Sequence, residues 1–157
     1  MQWTDPASLL DQFYARKLWL APPQVYELSR LLNFNTKESL AMFSSTRQQE
    51  GLTTWLPVRV ECEDGMLSIL PGDSLYPDMP DYVGKESNGS GTYQGTMAMA
   101  RGESSNLNRL EFRETYDCVA RVRGVSMHGH VHPCNYQEFQ VRIHFPIFHI
   151  RFRGDYF

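Results

Sequence analysis

The chain has 157 residues, a mass of 18.2 kDa and a formal net charge of −3, with 41% hydrophobic residues. This length suits a single domain with its own core, and the pI of about 5.9 does not indicate the basic surface that nucleic acid or an anionic membrane attracts. Because the sequence has no apolar run of about 18 residues or more, it predicts no membrane span.

The N-terminus and the cysteines favour an intracellular protein. Residues 1–6 have neither the basic start nor the apolar centre of a secretory signal. Cys62, Cys118 and Cys134 are far apart and match neither a disulfide framework nor a zinc pattern. Reduced thiols in an intracellular compartment are therefore the simplest interpretation.

Helix start signals precede three apolar patterns of helical period in the first third of the chain. A capping oxygen at Thr4 or Asp5, followed by Pro6, is typical of a helix start. Pro22 and Pro23 cannot lie inside a helix but can open one. The predicted helices span residues 7–17, 24–32 and 36–47.

After the third predicted helix the pattern changes to that of a β-hairpin. The runs Trp55–Cys62 and Met66–Leu70 flank Glu63-Asp64-Gly65. An Asp-Gly pair supplies the positive φ angles of a tight hairpin turn. We interpret Asp64-Gly65 and Pro71-Gly72-Asp73 as turn chemistry that needs no functional role.

The second half of the chain has weaker periodicity. Residues 77–108 are dominated by glycine, serine, asparagine and proline, which predicts a flexible stretch. Alternation of apolar and polar residues returns at 110–112, 118–122 and 138–157. Residues 109–157 are therefore predicted to form a β-rich tail.

Several ordered motifs in residues 3–76 carry a family resemblance. They are Trp3-Thr4-Asp5-Pro6, Leu18-Trp19-Leu20-Ala21-Pro22-Pro23-Gln24, Trp55-Leu56-Pro57 and Leu70-Pro71-Gly72-Asp73 with Leu75-Tyr76. In this order they resemble the Nudix hydrolases, and in particular the acyl-coenzyme A diphosphatase branch. A weaker similarity to that branch lies at His130-Val131-His132-Pro133.

The resemblance implies an α+β fold, namely the C-terminal portion of a Nudix-type α/β/α sandwich built from short helices and a β-hairpin. Residues 1–76 would be the C-terminal part of the Nudix domain, followed by the flexible stretch 77–108 and the tail 109–157. It also implies a peroxisomal or mitochondrial location, although Gly154-Asp155-Tyr156-Phe157 is not a peroxisomal tripeptide.

The implied activity is cleavage of the diphosphate in coenzyme A or acyl-coenzyme A. Members of the family use Mg²⁺ or Mn²⁺ held by the glutamates of a Nudix box. Clustered carboxylates suit this chemistry because divalent ions bridge phosphate oxygens and activate the attacking water.

The sequence contains no Arg-Glu-x-x-Glu-Glu string. Its nearest approach, Arg109–Glu114, lacks the upstream glycine and glutamate, and Glu61 with Glu63-Asp64 is interpreted as a solvated charge run on a turn. In the family the box precedes the Trp-x-x-Pro segment, and only two residues precede Trp3 here. We therefore expect a partial hydrolase that is inactive alone, and assign no catalytic, cofactor-binding or metal residue.

Two other interpretations stay open: a non-catalytic interaction protein and a small metal-binding module. His128, His130, His132 and Cys134 alternate, so on a strand they would share one face and could bind Zn²⁺. Ordinary histidines on a polar strand or loop are the favoured interpretation of this cluster. A patch of Trp19, Pro22, Pro23 and Tyr26 could bind a partner, but packing beside a helix start explains it more simply.

Overall fold

The computed structural model describes residues 3–51, 54–83, 91–127 and 129–134. In these ranges there are four helices: α1 (Pro6–Tyr14), α2 (Pro22–Leu31), α3 (Lys37–Gln48) and α4 (Met97–Glu103). The strands are β1 (Val58–Cys62), β2 (Gly65–Ile69), β3 (Gly91–Thr92), β4 (Leu107–Phe112) and β5 (Cys118–Arg123). Within the described part of the chain, no helix is both long and apolar enough to cross a membrane.

The strands form one mixed sheet in the order β3-β1-β2-β4-β5. All neighbouring strands are antiparallel except β1 and β3, which are parallel. The predicted hairpin is confirmed, with Cys62 paired to Gly65 across a two-residue loop, although its first strand begins at Val58 rather than Trp55. Gly65 is required in this turn, because its φ is +154° and a Cβ atom there would lie 2.2 Å from the carbonyl oxygen of Phe112.

Helices cover both faces of the sheet. On one face, α1 and α2 bury a core that includes Leu10, Phe13 and Val25 against Leu110 and Cys118. On the other face, α4 packs over the alternate residues of β1 and β2. That second core contains Val58, Val60, Leu67, Ile69, Met97 and Ala100. The predicted α+β class is confirmed.

The predicted helix starts are found in the structure. The carboxylate of Asp5 accepts a hydrogen bond from the backbone N–H of Ser8 at 2.9 Å, as an N-cap does. The α1 helix ends earlier than predicted, at Tyr14, because the chain turns through a positive φ of 58° at Arg16. The α2 helix begins at Pro22 itself, with both prolines in its first turn, where their missing N–H groups are not needed.

Regular structure occurs inside residues 77–108, where the sequence predicted a flexible stretch. Two strand residues of β3, the helix α4 and the start of β4 lie there. Met97 and Ala100 of α4 are fully buried, so burial against the sheet stabilises this short helix. Seven residues are too few for a helical period to be recognised, which explains the difference.

The strands predicted within the tail have two outcomes. Those at 110–112 and 118–122 are present as β4 and β5, and β4 lies inside the sheet rather than at its edge. The strand predicted over 138–157 lies outside the described residues.

Candidate functional site

A cavity of about 180 Å³ lies where the first turn of α2 faces the sheet. Its lining is mostly apolar and combines the helix start with the segment before β1 and with β2 and β4. The residues are Pro22, Pro23, Tyr26, Glu27, Trp55, Pro57, Ser68, Leu70 and Leu110. We call this the proline cavity.

Trp55 forms one wall of the proline cavity. Its ring centroid lies 4.0 Å from that of His130 and 6.4 Å from that of Tyr26. The next residue is also held, because the carbonyl oxygen of Leu56 accepts a hydrogen bond from the hydroxyl of Tyr76 at 2.9 Å. The segment before β1 is thus fixed although it is not part of a strand.

Tyr26 connects α2 to two distant segments of the chain. Its hydroxyl donates to Oδ1 of Asn108 at 2.8 Å and lies 3.1 Å from Nε2 of His130. Asn108 in turn donates from Nδ2 to the carbonyl oxygen of Pro71 at 2.8 Å. Because the hydroxyl proton is used toward Asn108, we assign the proton of the neutral His130 ring to Nε2, which donates to Tyr26.

Burial keeps this group of side chains neutral. Desolvation, with smaller contributions from the positive charges of Arg30, His132 and Arg47, lowers the pKa of His130 to about 3. Desolvation also raises the pKa of the Tyr26 hydroxyl far above its ordinary value. At neutral pH the two residues therefore hold each other by an uncharged hydrogen bond.

The histidines of the possible metal site are used in packing. His130 contacts Tyr26 and Trp55, and its ring centroid lies 6.3 Å from that of His132. The thiol of Cys134 donates to Oδ1 of Asn33 at 3.2 Å. His128 lies outside the described residues, and among those that are described no three His, Cys, Asp or Glu side chains form a group that could hold a metal ion.

The acidic residues singled out in the sequence do not converge. Asp64 accepts a hydrogen bond from the backbone N–H of Met97 at 2.7 Å, which fixes the start of α4. Glu111 is 5% exposed and lies between two arginines. Its carboxylate pairs with Arg101 at 2.5 Å and with Arg121 at 3.3 Å. On the surface, the carboxylate of Glu114 pairs with an arginine of the turn after α1, Arg16.

A buried ion pair joins Asp73 and Arg109, and sequence reasoning did not find it. Both side chains are fully buried, with Nη2 to Oδ1 at 2.5 Å and Nε to Oδ2 at 2.6 Å. Asp73 also accepts from the backbone N–H groups of Leu75 and Asn108, each at 2.9 Å. Asp73 therefore does more than form a turn, because it anchors residues 71–75 to β4.

A wider groove of about 860 Å³ adjoins the proline cavity, sharing Glu27 and Trp55 with it. It lies between α2 and α3, and the rings of Phe34 and Phe43, 5.0 Å apart, line it. No residue of α3 is fully buried, so this helix contributes little to the core of the described domain.

The predicted aromatic patch is divided in the structure. Pro22, Pro23 and Tyr26 lie together around the proline cavity, whereas Trp19 is 57% exposed. The strand-side residues Leu70 and Leu110 were not predicted, because no local pattern indicates which residues face the start of a helix.

Comparison with known proteins identifies relatives of this chain. Residues 59–122 match the family model described as the NUDT19 C-terminal domain. The chain is similar to the acyl-coenzyme A diphosphatase NUDT19 of Gallus gallus, with 37% identity over 131 residues, covering 83% of this chain and 34% of the relative. It is also similar to the protein of that name from Homo sapiens, with 35% identity over 136 residues, covering 85% of this chain and 35% of the relative.

The corresponding protein of Xenopus laevis is 44% identical over 85 residues, which are 54% of this chain and 22% of the relative. The chain thus spans about a third or less of the length of these relatives. No solved structure matches it.

Proposed function

Because residues 59–122 match the NUDT19 C-terminal domain, we propose that this chain is the non-catalytic, substrate-binding part of an acyl-coenzyme A diphosphatase. The observation that carries the proposal is the 37% identity over 131 residues to a relative of that name. Since the chain spans 34% of that relative, the diphosphatase activity is proposed for a longer protein that contains this domain.

In the described part of the chain, no group of three His, Cys, Asp or Glu side chains fits the Mg²⁺ or Mn²⁺ that the family implies. The buried carboxylates of Asp73 and Glu111 are each neutralised by arginine, so neither is free to bind a cation. The sequence also has no Nudix box. We therefore assign no catalytic step to this chain and expect it to be inactive alone.

A domain without catalytic carboxylates can still contribute to the reaction by binding substrate. In acyl-coenzyme A the diphosphate and the acyl group lie at opposite ends of a long pantetheine arm. Binding energy from a remote part of a substrate positions the reacting part, so a contact with the distant end raises the rate of the whole enzyme.

The first test is an assay of the purified chain with acyl-coenzyme A and Mg²⁺. We expect no release of adenosine 3′,5′-bisphosphate, together with saturable binding of acyl-coenzyme A in isothermal titration calorimetry. Metal-dependent release would contradict the non-catalytic assignment. A chain that binds no coenzyme A compound would contradict the substrate-binding assignment.

A partner-binding role is the second candidate, favoured by the lack of fully buried residues in α3. A protein partner in the groove between α2 and α3 would slow hydrogen exchange in Lys37–Gln48. Exchange in α3 that stays the same in cell extract and in buffer would count against this role.

Location and chain length are proposed from the family resemblance. We propose a peroxisomal or mitochondrial location, which imaging of the endogenous protein against markers of both organelles tests. We also propose that cells make this domain within a longer polypeptide. An antibody against residues 54–83 should then detect a band well above 18.2 kDa, and a band only at that mass would contradict the proposal.

A further inference from the structure

We propose that the proline cavity binds the acyl group of an acyl thioester, with Trp55 as the wall that contacts the chain. The inference rests on the proposed function and specifies which end of the substrate this domain holds. The residues that line the cavity lie in the described part of this chain, so the proposal can be tested on the isolated protein.

The size of the proline cavity selects a short apolar chain. Its volume is about 180 Å³, whereas pockets for drug-sized ligands have roughly 300–1,000 Å³. An apolar cavity of about 150 Å³ is large enough to bind benzene. The proline cavity can therefore hold a few methylene groups but not the whole of coenzyme A.

The lining also selects an apolar ligand. Leu70 and Leu110 are 6% and 3% exposed and form the floor of the cavity, and the rings of Pro22, Pro23 and Pro57 line it from other elements. Proline has a fixed φ, so this wall is already ordered before a ligand enters. Because the cavity is already ordered, ligand binding costs little conformational entropy. Each methylene group that the cavity buries then makes the binding free energy more favourable.

The neighbouring groove provides space for the rest of the ligand. At about 860 Å³ it falls within the range of ligand pockets and meets the proline cavity at Trp55 and Glu27. An acyl chain in the cavity would thus place its thioester and pantetheine arm in the groove between α2 and α3.

Ser68 is a suitable position at which to fill the cavity by substitution, because its small side chain lines the cavity. It lies on β2 opposite Leu110, and its side chain is one of the few polar groups in the lining. Ser68→Phe would occupy the cavity, whereas Ser68→Ala removes the hydroxyl and leaves the volume free. This matched pair separates the effect of filling from the effect of losing a polar group.

The experiment titrates the full 157-residue chain with coenzyme A and with its acetyl, butyryl and hexanoyl thioesters by calorimetry. We expect affinity to increase up to about fourfold for each buried methylene, and then to level off when the cavity is full. Ser68→Phe should bind all four compounds equally, and Ser68→Ala should behave as the wild type.

Nuclear magnetic resonance provides a second readout that needs no variant. Hexanoyl-coenzyme A should shift the indole resonance of Trp55 but not that of Trp19, which is 57% exposed and away from the lining. Binding of all four compounds with equal affinity, without a Trp55 shift, would overturn the cavity assignment and leave the proposed function standing. If none of the four compounds bound, both the cavity assignment and the proposed function would be overturned.

Discussion

Tyr26 in α2 donates a hydrogen bond to Asn108 in β4, across 82 residues of sequence, and both side chains are buried. This bond connects the helical layer to the interior of the sheet. Removing the hydroxyl would leave the acceptor oxygen of Asn108 without its partner in a site that water does not reach easily.

Tyr26→Phe should therefore lower the free energy of unfolding by about 1–3 kcal/mol, measured by urea denaturation. The matched control is Tyr116→Phe, which keeps the ring contact between Tyr116 and Phe13 at 5.7 Å. It should change stability by less than about 0.5 kcal/mol. Equal effects of the two substitutions would argue against a stabilising role for the bond to Asn108.

Breaking the ion pair between Asp73 and Arg109 should lower the free energy of unfolding more than Tyr26→Phe does. Asp73→Asn should destabilise the domain by about 3–5 kcal/mol, because the fully buried guanidinium would lose its counter-charge. The double variant Asp73→Asn with Arg109→Met should recover much of this loss. The reference is Glu114→Gln, which removes an ion pair to Arg16 on the surface. We expect loss of this exposed pair to lower the free energy of unfolding by less than about 1 kcal/mol.

Substitution by alanine is expected to have opposite effects on stability at two glycines, Gly65 and Gly102. Gly65→Ala should be strongly destabilising, because the new methyl group would lie 2.2 Å from a backbone oxygen. Gly102→Ala should increase stability by about 0.5–1 kcal/mol, because Gly102 lies in α4 and an added methyl group would point into open space. Thermal denaturation of both variants tests this, and a stable Gly65→Ala protein would contradict the turn geometry.

The low pKa of His130 predicts a loss of stability in acid. Its folded pKa of about 3 lies below the value of about 6.5 expected in the unfolded chain. Between these values only the unfolded state takes up the proton, so the stabilisation is complete above pH 6.5 and is lost as the pH falls toward 3. The free energy of unfolding should decrease by at most about 1.4 kcal/mol per pH unit from this residue.

His130→Gln provides the comparison, because glutamine does not titrate. The wild type should lose stability more steeply than this variant below about pH 6.5, in urea denaturation at a series of pH values. An imidazole titration of His130 with a midpoint near 6.5 in the folded protein would contradict the prediction.

Local signals in the sequence predicted much of the fold. Prolines and capping residues indicated α1 and α2, and Asp64-Gly65 indicated the hairpin. The helix α4 was not predicted, because its stability comes from burying Met97 and Ala100 on strands that are distant in sequence. Intrinsic propensity over seven residues is too weak to reveal such a helix.

The candidate site was predicted only in part, for a similar reason. Pro22, Pro23 and Tyr26 were recognised as a possible patch, because they are neighbours in sequence. Their partners in the structure come from far along the chain, as His130 does at 104 residues from Tyr26. Long-range contacts of this kind depend on strand register, and a single sequence does not provide that information.

The packing of the first two helices on the last strands has a consequence for synthesis of the protein. Leu10, Phe13 and Val25 leave the ribosome well before β4 and β5, yet they are buried against those two strands. The hydroxyl of Tyr14, for example, donates to the carbonyl oxygen of Cys118, 104 residues later. At about 5–20 residues per second this separation corresponds to roughly 5–20 s, during which the nascent helices expose apolar side chains and are natural clients for a chaperone.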